Sequence, residues 1–97
     1  MAQMNISWTK LALSDLDEAY NYIVVNNPGA ANETIERIQK ALDALILYPD
    51  MGRIGRVTGT RELIITRTPF ILPYRIQSNQ IEILAVIHAA RRWPEAF

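Results

Sequence analysis

The hydrophobic period of this chain changes once, near Pro49, and that change fixes the order of its layers. Upstream the spacing is helical. Ala12, Leu16, Ala19 and Ile23 recur at intervals of four, three and four, and Ala31, Ile35, Ile38, Leu42 and Leu45 continue the same rhythm. The second stripe is the cleaner of the two, with Glu33, Glu36, Arg37, Gln39, Lys40 and Asp43 on the rest of the cylinder. Thr9 is placed to cap the first helix, and Asp15, Asp17 and Glu18 follow near its start, where the helix dipole favours carboxylates. Asn26-Asn27-Pro28 ends that helix and begins the next, with Asn27 as cap and Pro28 at a position that has no hydrogen bond to lose. Pro49 stops the second helix, because the residue before a proline is pushed out of helical backbone. The short joint predicts an antiparallel helical hairpin.

Downstream the period is two. Pro49 to Thr60 reads as a loop holding three of the four glycines. Arg61 to Arg67, Phe70 to Ile76 and Ile81 to His88 are rich in β-branched and aromatic residues, with Thr68-Pro69 and Ser78-Asn79 as turns between them. Three such strands with short links imply an antiparallel meander. Pro73 fits poorly in a central strand, since it cannot donate to a ladder. Asn5 to Trp8 reads as a first strand, and Ala89 to Phe97 as a short tail containing Trp93-Pro94. The order is therefore β-α-α-β-β-β. Each layer has one apolar side to hide, so the helices must lie on one face of the sheet, giving a two-layer α+β domain with the other face only partly covered. Residues 1–97 suit a single domain with one core.

With no cysteine in the sequence, disulfides and thiolate metal sites are excluded, and a reducing cytoplasm is the expected location. No apolar run approaches the roughly 20 residues of a membrane span, and Met1 to Trp8 lacks the pattern of a signal peptide. One histidine without cysteine cannot build the usual zinc set, so no metal is expected, and no cofactor motif is present. Gly52-Arg53-Ile54-Gly55 lacks the lysine and hydroxyl residue of a phosphate loop.

The net charge of zero hides a division. Met1 to Gly52 carries three basic and seven acidic residues; Arg53 to Phe97 carries seven basic residues, all arginine, and three acidic ones. Such sorting suggests two surfaces with different partners. Guanidinium groups grip phosphates and carboxylates through a rigid fork of donors. Arg53, Arg56, Arg61, Arg75, Arg91 and Arg92, with Trp93 as an aromatic anchor, are the candidate partner-binding residues. His88 is the one side chain whose ordinary pKa lies near neutrality, which makes it the proton-transfer candidate; continuous alternation would put it on the face of Glu82, Leu84 and Val86. Tyr74 offers a hydroxyl, though a strand tyrosine more often packs.

These residues, in this order, resemble the RelE/ParE toxin superfamily. Trp8, Ala12, Asp15-Leu16 and Tyr22-Ile23, followed by Pro28 and Ala30-Ala31, resemble its first strand and helical hairpin. Pro49, Gly52-Arg53 and Gly59 to Leu63 resemble its loop and second strand; Pro69 to Ile76 and Ile83 to Arg91 resemble its final hairpin. The resemblance spans nearly the whole chain. It implies a cognate antitoxin that wraps the toxin, blocks it and alone contacts the operator DNA. RelE-like members cut mRNA on the ribosome; ParE-like members poison DNA gyrase.

Chemistry bears on that choice. Ribosome-dependent cleavage needs charge stabilisation and usually a proton acceptor and donor. RelE-like enzymes supply lysines, arginines and a C-terminal tyrosine, whereas this chain has no lysine after Lys40 and no tyrosine after Tyr74. If it were a nuclease, Arg61, His88 and Arg91 would be the catalytic candidates, but the position where histidine-using relatives place a strand arginine is Ile71. Ile87-His88-Ala89-Ala90-Arg91 resembles ParE-like sequences more closely. The resemblance favours a gyrase inhibitor over an endoribonuclease, with a relative that only binds its antitoxin as a third reading.

Overall fold

In the computed structural model, which describes residues 4–97, the chain runs β1 (Asn5–Trp8), α1 (Lys10–Asn26), α2 (Pro28–Leu47), β2 (Arg53–Ile54), β3 (Arg61–Ile64), β4 (Phe70–Gln77), β5 (Gln80–Ile83) and β6 (Ile87–His88). The first three residues of the expected 1–97 domain, and of the Met1–Trp8 stretch, lie outside the described residues. The two-layer α+β order is as expected, with three differences. The Pro49–Thr60 loop contains the short β2, the strand expected over Arg61–Arg67 ends at Ile64, and the strand expected over Ile81–His88 is divided into β5 and β6.

Both helices begin at their expected caps. The Thr9 hydroxyl accepts from the Ala12 amide and the Asn27 side chain from the Ala30 amide, with Pro28 in the first turn of α2. The acids of α1 lie beyond the first turn, so the dipole is not what places them. Ala12, Ile38, Leu42 and Leu45 enter the core, with Leu16, Ala19 and Ile23 partly buried against it. Ile35 departs from the expected stripe at 37% exposure; Thr34 is buried in its stead, its hydroxyl bonded back to Ala30 O.

The sheet order is β1-β5-β4-β3-β2, with β1 parallel to β5 and the other neighbours antiparallel. Pairing of Leu63 with Leu72 and of Tyr74 with Ile83 sets these side chains on the helix-facing side. Glu62 and Pro73 pair on the outer face, as do Arg75 and Glu82. Ser78 and Asn79 both have positive φ, the backbone that a two-residue hairpin turn requires.

Pro73 occupies a central strand after all. It pairs with Glu62 on one side, and on the other its carbonyl accepts from the Leu84 amide at 2.9 Å. A residue other than proline would return a hydrogen bond to Leu84 O. That carbonyl instead accepts from the Thr9 hydroxyl at 3.1 Å. The cap of α1 thereby replaces the donor that proline lacks.

Just beyond, the register slips. Tyr74 pairs with Ile83, but Ile71 pairs with Ile87 and Phe70 with His88, so the β5–β6 side holds one extra residue: a β-bulge across Leu84–Val86. The bulge reverses which face the following residues occupy. His88 therefore lies on the face of Ile81, Ile83 and Phe70, not with Glu82 as unbroken alternation predicts; its ring meets Phe70 edge-on with centroids 5.9 Å apart.

Candidate functional site

The seven arginines of the second half separate into paired and unpaired sets. Glu62 explains the first. Its side chain is 2% exposed, yet it carries a charge, because Arg53 and Arg56 converge on it from β2 and the loop that follows. Arg53 Nε donates to Oε1 at 2.9 Å and Arg56 Nε to Oε2 at 3.1 Å, while the Arg56 backbone amide donates to Oε2 at 2.8 Å. Burial pushes the Glu62 carboxyl up, but the hydrogen bonds from Arg56 and Arg53 and the Arg56 charge outweigh it and hold the group below the usual carboxylate range. The Arg56 guanidinium also lies 3.7 Å from the centre of the Trp93 ring. Because Glu62 is on the outer face, this contact brings the tail to the sheet side away from the helices. Ile71, Pro73, Leu84 and Ile87 are buried on that side, while Ile64 stays exposed. Trp93 Nε1 is buried and meets no acceptor among the described residues.

Arg61 is held differently. It faces the helix side opposite Tyr74, donates to Gly52 O at 2.8 Å and Asp50 O at 3.1 Å, and stands 3.7 Å from the Asp50 carboxylate. Tyr74 is fully buried, and its hydroxyl donates to Pro49 O at 2.7 Å and accepts from the Gly52 amide at 3.0 Å. Burial raises the Tyr74 pKa, against the Gly52 bond and the Arg61 charge. The tyrosine thus fastens the loop that delivers Arg53 and Arg56. Gly52 is required there, since a Cβ would stand 2.5 Å from the Tyr74 ring. Arg75 pairs across the strands with Glu82 at 2.6 Å.

Arg67, Arg91 and Arg92 are exposed and enter none of the ion pairs formed among the described residues. Arg67 belongs to the arginine-rich half of the sequence, beside the strands. It occupies the turn between β3 and β4 with φ 61°, and the Ala89 amide bonds to Pro69 O, so the turn and the start of the tail share one end of the sheet. At that end a groove of about 540 Å³ opens between α1 and β6, lined by Asp15, Glu18, Tyr22, Phe70, His88 and Arg91 among others. His88 Nδ1 accepts from the Ala90 amide at 3.1 Å, which leaves Nε2 as the nitrogen that carries the proton of the neutral ring.

The structure brings His88 and Arg91 together in this groove but not Arg61. Arg61 and His88 flank β4 four positions apart, a Cα separation of about 17 Å from strand rise and spacing. Among the described residues no group of histidine, cysteine and carboxylates is arranged to hold a metal, and no helix is long and apolar enough to cross a membrane.

Comparison with known proteins places the chain in a family. Residues 6–93 match the family described as ParE toxin of type II toxin–antitoxin system, parDE. The protein Y4kP of Sinorhizobium fredii (strain NBRC 101917 / NGR234) is 47% identical over 95 residues, covering 98% of each chain. Among solved structures, a chain of the chromosomal ParDE TA system from P. aeruginosa superposes with a TM-score of 0.79 at 31% identity, over 89% of this chain and 96% of that one. A chain of the toxin–antitoxin complex RelBE2 from Mycobacterium tuberculosis shares the fold, with a TM-score of 0.61 at 24% identity over 90% and 99% of the two chains.

Proposed function

The chain belongs to the ParE toxin family within the RelE/ParE superfamily, and from that premise we propose that it is the toxin of a type II toxin–antitoxin pair, inhibits DNA gyrase, and is neutralised by a cognate antitoxin. The observation that carries the choice of target is the scattering of the nuclease candidates. The Arg61 guanidinium is tied to the Asp50–Gly52 backbone, and the Cα atoms of Arg61 and His88 stand about 17 Å apart. General acid–base cleavage needs its groups within reach of one phosphate. A toxin that works by binding a protein machine has no such requirement. Partner binding falls most heavily on Arg67, Arg91 and Arg92, whose guanidiniums are not engaged by carboxylates of the described residues. An acidic partner segment would complement them.

The endoribonuclease reading draws its support from His88 and Arg91 sharing one groove. A paired assay separates the two. The purified chain is added to a gyrase supercoiling reaction and, separately, to cell-free translation of a defined mRNA. Loss of supercoiling with an intact message is expected. Ribosome-dependent cuts in the message with supercoiling unaffected would overturn the proposal.

A further inference from the structure

Leu84-Ala85-Val86-Ile87 is apolar at every position, so alternation does not choose how this stretch pairs with β4. Two pairings are available. In the observed one Ile87 lies opposite Ile71 and His88 opposite Phe70. Carrying the β4–β5 register forward without the extra residue would set Val86 opposite Ile71 and Ile87 opposite Phe70, and would turn His88 to the outer face. Either pairing offers apolar side chains to both sides of the sheet, and hydrophobic burial discriminates weakly between them. Polar contacts must decide.

In the continuous register the Val86 amide would donate to Ile71 O. In the bulge it is turned out of the ladder, and a buried amide left without an acceptor is costly. Asp15 Oδ2 receives it, at 3.1 Å. The start of α1 holds the other end of the same bulge, where the Thr9 amide donates to Ile83 O at 3.1 Å and the Thr9 hydroxyl to Leu84 O. We propose that Asp15 is the positioning residue of the groove: by accepting the Val86 amide it selects the bulged pairing, and through that pairing it turns His88 toward α1 and sets the path of the chain into Arg91. The inference goes beyond the toxin reading and is independent of which target the toxin meets. It also gives Asp15 a role other than the favourable helix-dipole position that the sequence suggests.

The test is NMR on the isotopically labelled full chain. In the observed pairing Phe70 and His88 form a non-hydrogen-bonded pair, whose Hα atoms approach closely enough for a strong cross-peak. Asp15→Ala is expected to replace the Phe70–His88 cross-peak by a Phe70–Ile87 one and to speed Val86 amide exchange at least tenfold. Asp15→Asn keeps an acceptor oxygen and should preserve both signals. Deleting Ala85 shortens the stretch by one residue, so ordinary pairing then sets His88 opposite Phe70 without a bulge. In that background Asp15→Ala should leave the Phe70–His88 cross-peak in place. Should Asp15→Ala alone fail to fold, recovery of folding by the Ala85 deletion supports the inference, and failure of the deletion to restore folding overturns it. An unchanged cross-peak with unchanged Val86 exchange in Asp15→Ala also overturns it.

Discussion

Replacing Glu62 by alanine removes a buried carboxylate that holds β2, the following loop and, through Arg56, the tail. The carboxylate is 2% exposed and accepts from Arg53 Nε, Arg56 Nε and the Arg56 backbone amide. Hydrogen bonds to a charged group contribute about 1.5–3 kcal/mol each. Both guanidiniums are about half exposed and regain water when the carboxylate leaves, so their share is small. The backbone amide is the larger loss. The expected cost of Glu62→Ala is about 2–4 kcal/mol, equivalent to a fall in Tm of about 10–25 °C for a domain of this size. Glu62→Gln keeps one acceptor and the shape, and should cost about half as much. The pH dependence has a definite sign. The folded-state pKa of Glu62 lies below the ordinary value of 4.5 for a glutamate, so the unfolded chain binds the proton more tightly. The stabilisation is therefore complete above that value and is lost as pH falls through the folded-state pKa. Urea denaturation of the wild type and Glu62→Gln from pH 7 to pH 3 measures it, and the gap between the two should close in acid. A cost below about 0.5 kcal/mol for Glu62→Ala at pH 7, or a gap independent of pH, would refute the reasoning and return Arg53 and Arg56 to the set of arginines free for a partner.

Tyr74→Phe leaves Pro49 O without its donor and the Gly52 amide without its acceptor; a loss of about 1–3 kcal/mol is expected in urea denaturation. Thr9→Val removes both the helix cap and the donor to Leu84 O opposite Pro73, and should cost about 1–3 kcal/mol, with Thr9→Ser restoring most of it by the same assay. Trp93→Phe should be tolerated better than Trp93→Ala, since Nε1 has no acceptor among the described residues while the ring covers Arg56; the two melting temperatures decide this. Triple replacement of Arg67, Arg91 and Arg92 by alanine should weaken antitoxin binding at least tenfold and flatten its salt dependence in titration calorimetry, while replacing Arg75, paired with Glu82, should change it little.

The helices and the meander were legible because their apolar residues keep time: Leu42 and Leu45 reach the core that their spacing predicts. Thr9, Asn27 and Pro28 also declare themselves, since capping chemistry is local. Ile35 does not follow the stripe, because a stripe marks a face of the helix and not how far the sheet beneath it extends. The bulge left no trace. It interrupts a run with no polar residue to break step, and the groups that stabilise it, Asp15 and Thr9, lie 71 and 75 residues earlier in sequence. Unbroken alternation puts His88 on the wrong face for that reason alone. Pro73 gave a true warning of a missing donor, answered by a hydroxyl from another layer. Among the arginines, sequence supplied the cluster but not its division. Glu62 reads as one of three acids in a basic half, and only folding shows it buried between two guanidiniums.

Gyrase-dependent breakage of plasmid DNA tests the proposed target most directly. Purified gyrase, plasmid and ATP are incubated with increasing amounts of the chain, and the reaction is stopped with detergent and protease. Linear plasmid should accumulate with dose, require gyrase, and disappear when the cognate antitoxin is added first. Plasmid that remains intact at a large molar excess of the folded chain over gyrase would contradict the account.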